Sequence, residues 1–253
     1  MMSQIIQVDN LVKKYDDFVA VNGISFHVNQ GEIFGLLGPN GAGKTTTLEI
    51  IETLREKTSG SVLVNGFSVE KDAQEIKKII GVQLQSAGYY PNLSLKQLIE
   101  LFAGLYNRKI KAMDSLASVG LEDKAKSKFK ELSGGQKQRF SIATTLLNKP
   151  KIVFLDEPTT GLDPQARRNL WDLILKIREE GATVVLTTHY MDEAEVLCDR
   201  IGIIDSGLIV KIDTPDNLID ALLHSGFEKE KVAKGANLED VFINLTGKEL
   251  REA

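Results

Sequence analysis

Short apolar runs rich in β-branched residues recur along the chain and predict a series of β-strands. They lie at 4–8, 19–28, 32–37, 61–64, 151–155, 183–187, 201–204 and 208–212, and their length and composition favour strands over helices. Helical patterns separate several of the later runs, which predicts a largely parallel sheet. The early runs resemble antiparallel neighbours, so we expect an antiparallel patch near the N-terminus.

Residues 86–150 interrupt this alternation, because they show helical patterns and no clear strand. We expect them to form a helical lobe inserted between two strands of the core. Two later helix starts are marked by a capping residue followed by proline, at Asp163 with Pro164 and at Thr214 with Pro215. The sequence thus predicts an α/β domain over 1–222, with a core at 1–85 and 151–222. A short linker and a last helix are expected at 223–253.

Composition excludes several classes of protein. Lys and Arg number 31 against 35 Asp and Glu, so the net charge is -4, and no basic stripe suggests free nucleic acid as a partner. Cys198 is the only cysteine, which excludes an internal disulfide framework and fits a reducing cytosolic compartment. No run of 18 apolar residues and no signal-peptide pattern are present, so we expect any membrane role to depend on a partner.

The stretch GPNGAGKT, at 38–45, matches a phosphate-binding loop. It lies between the strand-like EIFGLL and the helix-like TTTLEIIETL, which is the context that the mechanism of such loops requires. Its glycines let backbone N–H groups converge on a phosphate at a helix N-terminus, and Lys44 adds a positive charge. Thr45 offers a hydroxyl to Mg²⁺. The sequence therefore predicts a site for a nucleotide and magnesium.

A second motif, KIVFLDEP at 151–158, has the pattern of a buried strand that ends in two carboxylates. Side chains alternate along a strand, so Asp156 and Glu157 are expected to point in different directions and to divide their roles. Asp156 would help to hold Mg²⁺, and Glu157 would face the attacking water. Because phosphoryl transfer passes through a loose transition state, orienting that water matters more than removing its proton.

Two further polar residues follow predicted strands. His189 comes after ATVVLTT, at the end of a strand where open α/β sheets gather ligand-binding groups; a local cap is the alternative. Gln85 ends GVQLQ and offers an amide to metal or water. Gln83 is chemically equivalent, although the spacing favours Gln85 as the residue that leaves the strand.

With these motifs in order, residues 4–220 resemble the nucleotide-binding subunit of an ABC transporter. The resemblance implies a P-loop NTPase core and an ATPase that uses ATP and Mg²⁺. It assigns catalysis to Glu157, His189 and Gln85, and magnesium binding to Thr45, Gln85 and Asp156. Tyr15 is assigned to adenine stacking on resemblance alone. The nucleotide-binding set is Tyr15, Gly38, Pro39, Asn40, Gly41, Ala42, Gly43, Lys44, Thr45, Thr46, Ser133, Gly134, Gly135, Gln136 and Asp163.

The family signature is LSGGQ, at 132–136. Its S-x-x-Q spacing is also a capping box, in which Ser133 caps a helix start and Gln136 reaches back to it. Such a start exposes N–H groups and a positive dipole end, which suit the γ-phosphate of a nucleotide held by another chain. The resemblance implies that two subunits stack head to tail, as a homodimer or a heterodimer, and complete each other's ATP sites.

Two departures from the family pattern stand out. Thr160 replaces the usual serine and keeps the hydroxyl, and Thr144 occupies a position where many relatives carry arginine.

A membrane permease is expected to dock near residues 86–106. The local pattern gives Tyr89 and Tyr90 no structural role there, and a turn that exposes aromatic side chains suits docking. Burial of both tyrosines under the lobe is an equal alternative.

The segments HYMDEAEVLCDRIGIID and NLEDVFINLTGKELRE resemble the ATPase subunits of drug and antibiotic exporters, although the part between Leu222 and Asn237 looks abbreviated. We therefore expect an ATPase that powers a separate permease from the inner face of the membrane. A soluble ABC protein acting in translation or DNA repair is the alternative, and it is disfavoured because the chain has one cassette and no coiled-coil insertion. A sensor without turnover is disfavoured by Glu157.

Overall fold

A computed structural model describes residues 3–83, 88–227 and 238–246. In this part of the chain the strands are β1 Gln4–Tyr15, β2 Phe18–Asn29, β3 Ile33–Leu37, β4 Ser59–Val64, β5 Phe67–Ser68, β6 Ile80–Gln83, β7 Ile152–Asp156, β8 Thr183–Thr188, β9 Arg200–Asp205 and β10 Leu208–Asp213. The α-helices are α1 Lys44–Ile51, α2 Ala73–Ile79, α3 Leu95–Leu105, α4 Ala112–Ala117, α5 Gly134–Thr145, α6 Pro164–Glu179, α7 Met191–Leu197, α8 Pro215–His224 and α9 Leu238–Thr246.

The strands form two sheets. A six-stranded sheet has the order β10-β9-β3-β8-β7-β6, and all neighbours in it are parallel except β10 with β9. The other sheet, β2-β1-β4-β5, is antiparallel. The predicted α/β class is confirmed, although the antiparallel part is a sheet of its own. The two-residue strand β5 was not predicted, because so short a run carries no periodicity.

The central sheet is buried on both faces, as expected of parallel strands. On β7, Val153 and Leu155 pack with the cluster that contains α3, α5 and α6. Ile152 and Phe154 face the other way, into the cluster shared with the antiparallel sheet and α1. The helices α3, α4 and α5 lie between β6 and β7 in the chain, and these two strands are neighbours in the sheet. The inserted helical lobe is thus built on one face of the core sheet.

The predicted helix starts carry the expected caps. Asp163 caps α6 and accepts hydrogen bonds from the backbone of Gln165 and Ala166, with Pro164 in the first turn. Thr214 caps α8 in the same manner, with Pro215 following. The helix α9 lies within 223–253, the segment in which a last helix was expected. Residues 228–237 of the expected linker lie outside the described residues.

The order of the strands determines where the polar residues meet. Leu37 at the end of β3 pairs with Thr188 of β8, and Asp156 at the end of β7 pairs with Thr187. Because β3, β8 and β7 are adjacent and parallel, their carboxyl ends lie at one edge of the sheet. The phosphate loop, the acidic pair and His189 all follow these three ends.

Candidate active site

The predicted phosphate loop connects β3 to α1. Gly43 precedes α1 with a φ of 99°, in the left-handed region that favours glycine. A Cβ on Gly38 would lie 2.1 Å from the carbonyl oxygen of Ile204, so no other residue fits there without a shift of the backbone. The loop and the start of the helix comprise Gly38, Pro39, Asn40, Gly41, Ala42, Gly43, Lys44, Thr45 and Thr46.

Lys44 joins the loop to the acidic strand end. Its Nζ donates to the carbonyl oxygens of Gly38 at 2.8 Å and Pro39 at 3.1 Å, and it lies 3.3 Å from Oε1 of Glu157. Burial lowers the pKa of Lys44, and the negative charges of Glu157 and Asp156 offset part of this effect. The ammonium group is therefore held at the mouth of the loop by acceptors that phosphate oxygens can replace.

Thr45 lies beside Asp156. The Thr45 hydroxyl lies 3.2 Å from Oδ1 and 3.1 Å from Oδ2 of Asp156, and the Thr187 hydroxyl also donates to Asp156. Hydroxyl and carboxylate oxygens suit Mg²⁺, which takes few protein ligands and completes its shell with water and phosphate oxygens. Among the described residues, no group of three or more His, Cys, Asp or Glu could hold a metal. The Thr45 hydroxyl and the Asp156 carboxylate fit a magnesium ion that arrives with a nucleotide.

Glu157 leaves the strand by a different route from the one expected. β7 ends at Asp156, and Glu157 has a φ of 47°, in the left-handed region. The two carboxylates diverge because the backbone turns there, and the predicted alternation along a strand was the wrong reason. Glu157 Oε2 lies 3.2 Å from Nδ1 of His189 and accepts a hydrogen bond from the Thr160 hydroxyl at 3.2 Å. A non-glycine residue held in this conformation is strained, as is common at functional sites.

The charges around Glu157 keep its carboxylate ionised. The His189 imidazole and then the Lys44 ammonium lower the pKa of Glu157 to about 2, against burial, which raises it. Nδ1 of His189 is close to the carboxylate but has no well-directed hydrogen bond, so the contact is an approach at ion-pair distance. A carboxylate of such low basicity suits the orientation of a water molecule better than the removal of its proton.

Gln85 lies outside the described residues, and its predicted role stays a prediction. The structure does describe the alternative, Gln83, at the end of β6. The Gln83 side chain is buried, and its Nε2 donates to Oε1 of Gln138 in α5 at 3.1 Å. Gln83 thus links the core sheet to the helix that follows LSGGQ.

The LSGGQ motif begins α5 and forms the predicted capping box. Ser133 N–H donates to Oε1 of Gln136 at 3.0 Å, and the Gln136 N–H donates to Oγ of Ser133 at 3.4 Å. A Cβ on Gly135 would lie 2.8 Å from Cβ of Ala166 in α6, so this glycine permits close packing of two helices. Within the described part of the chain, no hydrogen bond or ion pair joins residues 133–136 to residues 38–46.

The starts of α5 and α6 border one surface groove. Its lining includes Ser133, Gly135 and Gln136 from the signature, together with Asp163 and Asn169. The Asp163 carboxylate is used as the N-cap of α6. A Cβ on Gly134 would lie 3.5 Å from the Leu162 side chain. The signature and the residues before α6 therefore form a single surface.

Tyr15 ends β1 and is 36% exposed. The Lys13 ammonium lies 4.9 Å and the Arg55 guanidinium carbon 5.4 Å from its ring centroid. The ring is thus fixed by neighbours and still partly open to solvent. No motif in the sequence pointed to Arg55.

The two tyrosines of the expected docking surface differ. The Tyr89 hydroxyl lies 3.1 Å from Oγ of Ser141 and 3.0 Å from Oγ1 of Thr144, and its ring packs against Phe129 and Phe140. Packing under the lobe, the alternative, therefore holds for Tyr89, whose side chain is partly buried. Tyr90 is 63% exposed. Thr144, the residue noted above as a departure from the family pattern, contacts the Tyr89 hydroxyl.

Sequence reasoning also missed a buried carboxylate next to the site. Glu193 in α7 is fully buried, and the Trp171 indole N–H donates to its Oε1 at 3.2 Å. Burial raises the pKa of Glu193, and the polar side chains of Thr188, Thr159 and Trp171 nearby offset part of this. Glu193 thus joins α7 to Trp171 in α6. Its partners are distant in the sequence, so no local pattern could have revealed it.

Comparison with known proteins identifies the family. Residues 21–160 match the ABC transporter family. The chain is 40% identical over 223 residues to the linearmycin resistance ATP-binding protein LnrL of Bacillus subtilis (strain 168), covering 86% of this chain and 72% of that protein. It is 42% identical over 221 residues to the probable multidrug ABC transporter ATP-binding protein YbhF of Escherichia coli (strain K12), covering 85% of this chain but 38% of YbhF.

A solved structure agrees with this assignment. The dimeric post-hydrolysis structure of the ATP-binding cassette MJ0796 with ADP and Pi superposes with a TM-score of 0.75 at 29% identity, covering 83% of this chain and 98% of that one. In the described residues, no helix is long and apolar enough to cross a membrane. The chain belongs to the ABC transporter family and is an ATP-binding subunit with ATPase activity.

Proposed function

We propose that two ABC ATPase subunits, of which this chain is one, close head to tail on two MgATP and power a separate membrane permease. The observation that carries the proposal is the isolation of the signature from its own phosphate loop. Residues 133–136 form a well-capped helix start, yet they make no hydrogen bond to residues 38–46 in the described chain. A positive helix end with free N–H groups suits a nucleotide held by a partner. The dimeric structure of MJ0796 with ADP and Pi supports the pairing of two subunits.

The phosphate loop holds the nucleotide in this proposal. Its N–H groups and Lys44 bind the phosphates, and Lys44 exchanges its contact with Glu157 for a phosphate oxygen. Tyr15 stacks on the base, and Asp163 lies at the interface with the other subunit. The partner's nucleotide contacts Ser133, Gly134, Gly135 and Gln136.

Magnesium is the proposed metal, held by Thr45, Asp156 and Gln85. The support is the approach of Thr45 to Asp156 described above. When bound, the metal neutralises phosphate charge. The metal-free pairing of the hydroxyl with the carboxylate keeps these two donors in position.

Glu157, His189 and Gln85 are the proposed catalytic residues. Glu157 orients the attacking water as an ionised carboxylate, consistent with its lowered pKa. His189, within ion-pair distance of Glu157, bridges toward the γ-phosphate. Because Lys44 and His189 both contact Glu157, binding of phosphate to Lys44 would release Glu157 to face water.

The permease is proposed to dock on the lobe. Leu101 and Leu105 lie four residues apart on one face of α3, and both are exposed, as are Tyr90, Tyr106 and Met113. An exposed apolar surface of this kind marks a binding site for another protein. The predicted division into a core at 1–85 and 151–222, a lobe at 86–150 and a C-terminal segment at 223–253 is part of this proposal.

The proposed direction of transport is export, and the proposed cargo is a drug-like or hydrophobic compound. The resistance and multidrug names of LnrL and YbhF support it, and neither relative supports a role in translation or DNA repair. The subunit would act as a peripheral protein on the inner face of the membrane. The direct test is purification of the tagged chain from detergent-solubilised membranes of its own host. We expect a multispanning protein to co-purify and to stimulate MgATP hydrolysis, whereas recovery with ribosomes or DNA would contradict the proposal.

A further inference from the structure

The ring of Tyr15 contacts a residue that is hydrogen-bonded to α1, the helix that begins in the phosphate loop. Tyr15 ends β1, whereas α1 starts at Lys44. Arg55, in the segment after α1, has its guanidinium carbon 5.4 Å from the Tyr15 ring centroid. One side chain therefore spans from the end of α1 to the end of β1.

Arg55 is held to α1 by Glu49. Its Nε donates to Oε2 of Glu49 at 2.6 Å, and its backbone N–H donates to the Glu49 carbonyl at 3.1 Å. The Glu49 hydrogen bond raises the pKa of Arg55. With side chain and backbone both bonded to the same residue, Arg55 has little freedom to move relative to α1. The planar guanidinium can stack on an aromatic ring while its edge binds a carboxylate.

Lys13 provides a comparison within the same structure. Its ammonium lies 4.9 Å from the Tyr15 ring centroid, but no hydrogen bond or ion pair links Lys13 to α1 in the described residues. Lys13 therefore places a positive charge near the Tyr15 ring but does not link the ring to the phosphate loop. Any effect specific to Arg55 must come from its connection to α1.

We propose that Arg55, held by Glu49, is a positioning residue that fixes the Tyr15 ring at a set distance from the phosphate loop and so contributes to recognition of the nucleotide base. The inference rests on the proposed stacking role of Tyr15. A nucleotide must satisfy the phosphate loop and the ring at once, so a ring fixed to α1 is preorganised for both. Pyrophosphate, which has no base, gains nothing from this arrangement.

The test compares ADP with pyrophosphate, since neither is hydrolysed by an ATPase. Calorimetric titration of both into wild type, Arg55→Ala, Arg55→Lys and Lys13→Ala separates binding of the base from binding of the phosphates. Arg55→Ala should weaken ADP about fivefold or more and leave pyrophosphate within about twofold. Arg55→Lys, which keeps the charge but loses the planar fork, should lose most of the same affinity. Lys13→Ala should change ADP by less than about twofold.

Variants of Glu49 and Tyr15 complete the set of titrations. The Glu49→Gln and Arg55→Ala losses should not add in the double variant, since both break the same link. Tyr15→Ala should itself weaken ADP selectively. If Tyr15→Ala does so and Arg55→Ala and Arg55→Lys do not, the inference is overturned and the proposed role of Tyr15 stands. If Arg55→Ala weakens ADP and pyrophosphate equally, Arg55 only supports α1 and the inference fails. If Tyr15→Ala has no selective effect, both ideas fail.

Discussion

Nδ1 of His189 lies 3.2 Å from Oε2 of Glu157, although 31 residues separate them in the chain. They meet because β7 and β8 are parallel neighbours and both residues follow the carboxyl ends of these strands. Lys44 approaches the other carboxylate oxygen at 3.3 Å. Glu157 is thus an anion between two potential cations at the mouth of the phosphate loop, where attack on a γ-phosphate is proposed.

Glu157→Gln should separate nucleotide binding from turnover. The amide keeps the size of the side chain but cannot orient water as an anion, so hydrolysis should fall about a hundredfold or more. ATP binding should persist and trap a dimer, detected by size-exclusion chromatography with MgATP. Near-normal turnover would exclude Glu157 as the catalytic carboxylate.

Lys44→Ala should weaken binding of the nucleotide itself. A charge-assisted contact with phosphate is lost, so the Kd for ADP should rise about tenfold to a hundredfold. Lys57→Ala is the matched control, because Lys57 is also largely buried and ion-paired, with Glu70, but lies outside the loop. Calorimetric titration measures both. Equal effects of the two substitutions would argue against a specific role for Lys44.

Glu52 predicts a pH dependence of stability. It lies at the end of α1 and is 3% exposed, and burial, with the charges of Asp156 and Glu49, raises its pKa from 4.5 to about 8. Between these values the unfolded chain is ionised and the folded chain is protonated, so the unfolded state binds fewer protons. Stability therefore falls as pH rises through this window, by up to about 1.4 kcal/mol per pH unit.

The Glu52→Gln substitution should abolish this fall in folding stability with rising pH. In nucleotide-free and metal-free buffer, we expect the variant to gain in Tm relative to wild type at pH 8 and to differ little at pH 5. Calorimetry at the two pH values provides the measurement. Glu56→Gln changes an exposed glutamate nearby and should shift neither value. A constant difference between Glu52→Gln and wild type across the range would contradict the raised pKa.

Substitutions on the exposed apolar surface of the lobe should reduce coupling of the ATPase to the permease. Tyr90→Ala with Leu105→Ala removes two of the most exposed apolar side chains, at 63% and 70% exposure, so stimulation of the ATPase by the co-purified permease should fall at least about fivefold. Basal ATPase activity and Tm should stay near wild type. Leu223→Ala on α8, also exposed, serves as control. Full stimulation of the double variant would remove this docking surface.

Local spacing revealed most of the candidate site. The phosphate loop, the capping box of Ser133 with Gln136 and the cap at Asp163 follow from residues within a few positions of one another. Parallel strands then bring Glu157 and His189 to the same edge. These features depend on patterns that the chain carries in sequence order.

Contacts between distant segments were beyond the sequence. The left-handed backbone of Glu157, the packing of Tyr89 against α5 and the bond between Trp171 and Glu193 depend on how elements pack. Arg55 likewise reaches Tyr15 across 40 positions of the chain. No periodicity records such pairs, and only the folded arrangement makes them visible.

The exchange of signature motifs between subunits is the central claim, and mixed dimers test it directly. One chain carries Lys44→Ala and the other Ser133→Arg, each with a different affinity tag so that only heterodimers are recovered. In a head-to-tail dimer both defects fall in one ATP site, because the phosphate loop of one chain faces the signature of the other. The second site stays intact.

The measurement is the MgATPase rate of this heterodimer against one in which a single chain carries both substitutions and its partner is wild type. We predict that the first dimer retains about half of the wild-type rate and that the second retains almost none, since its two defects fall in different sites. The opposite result, with activity only in the second dimer, would mean that each chain completes its own site and would contradict the account.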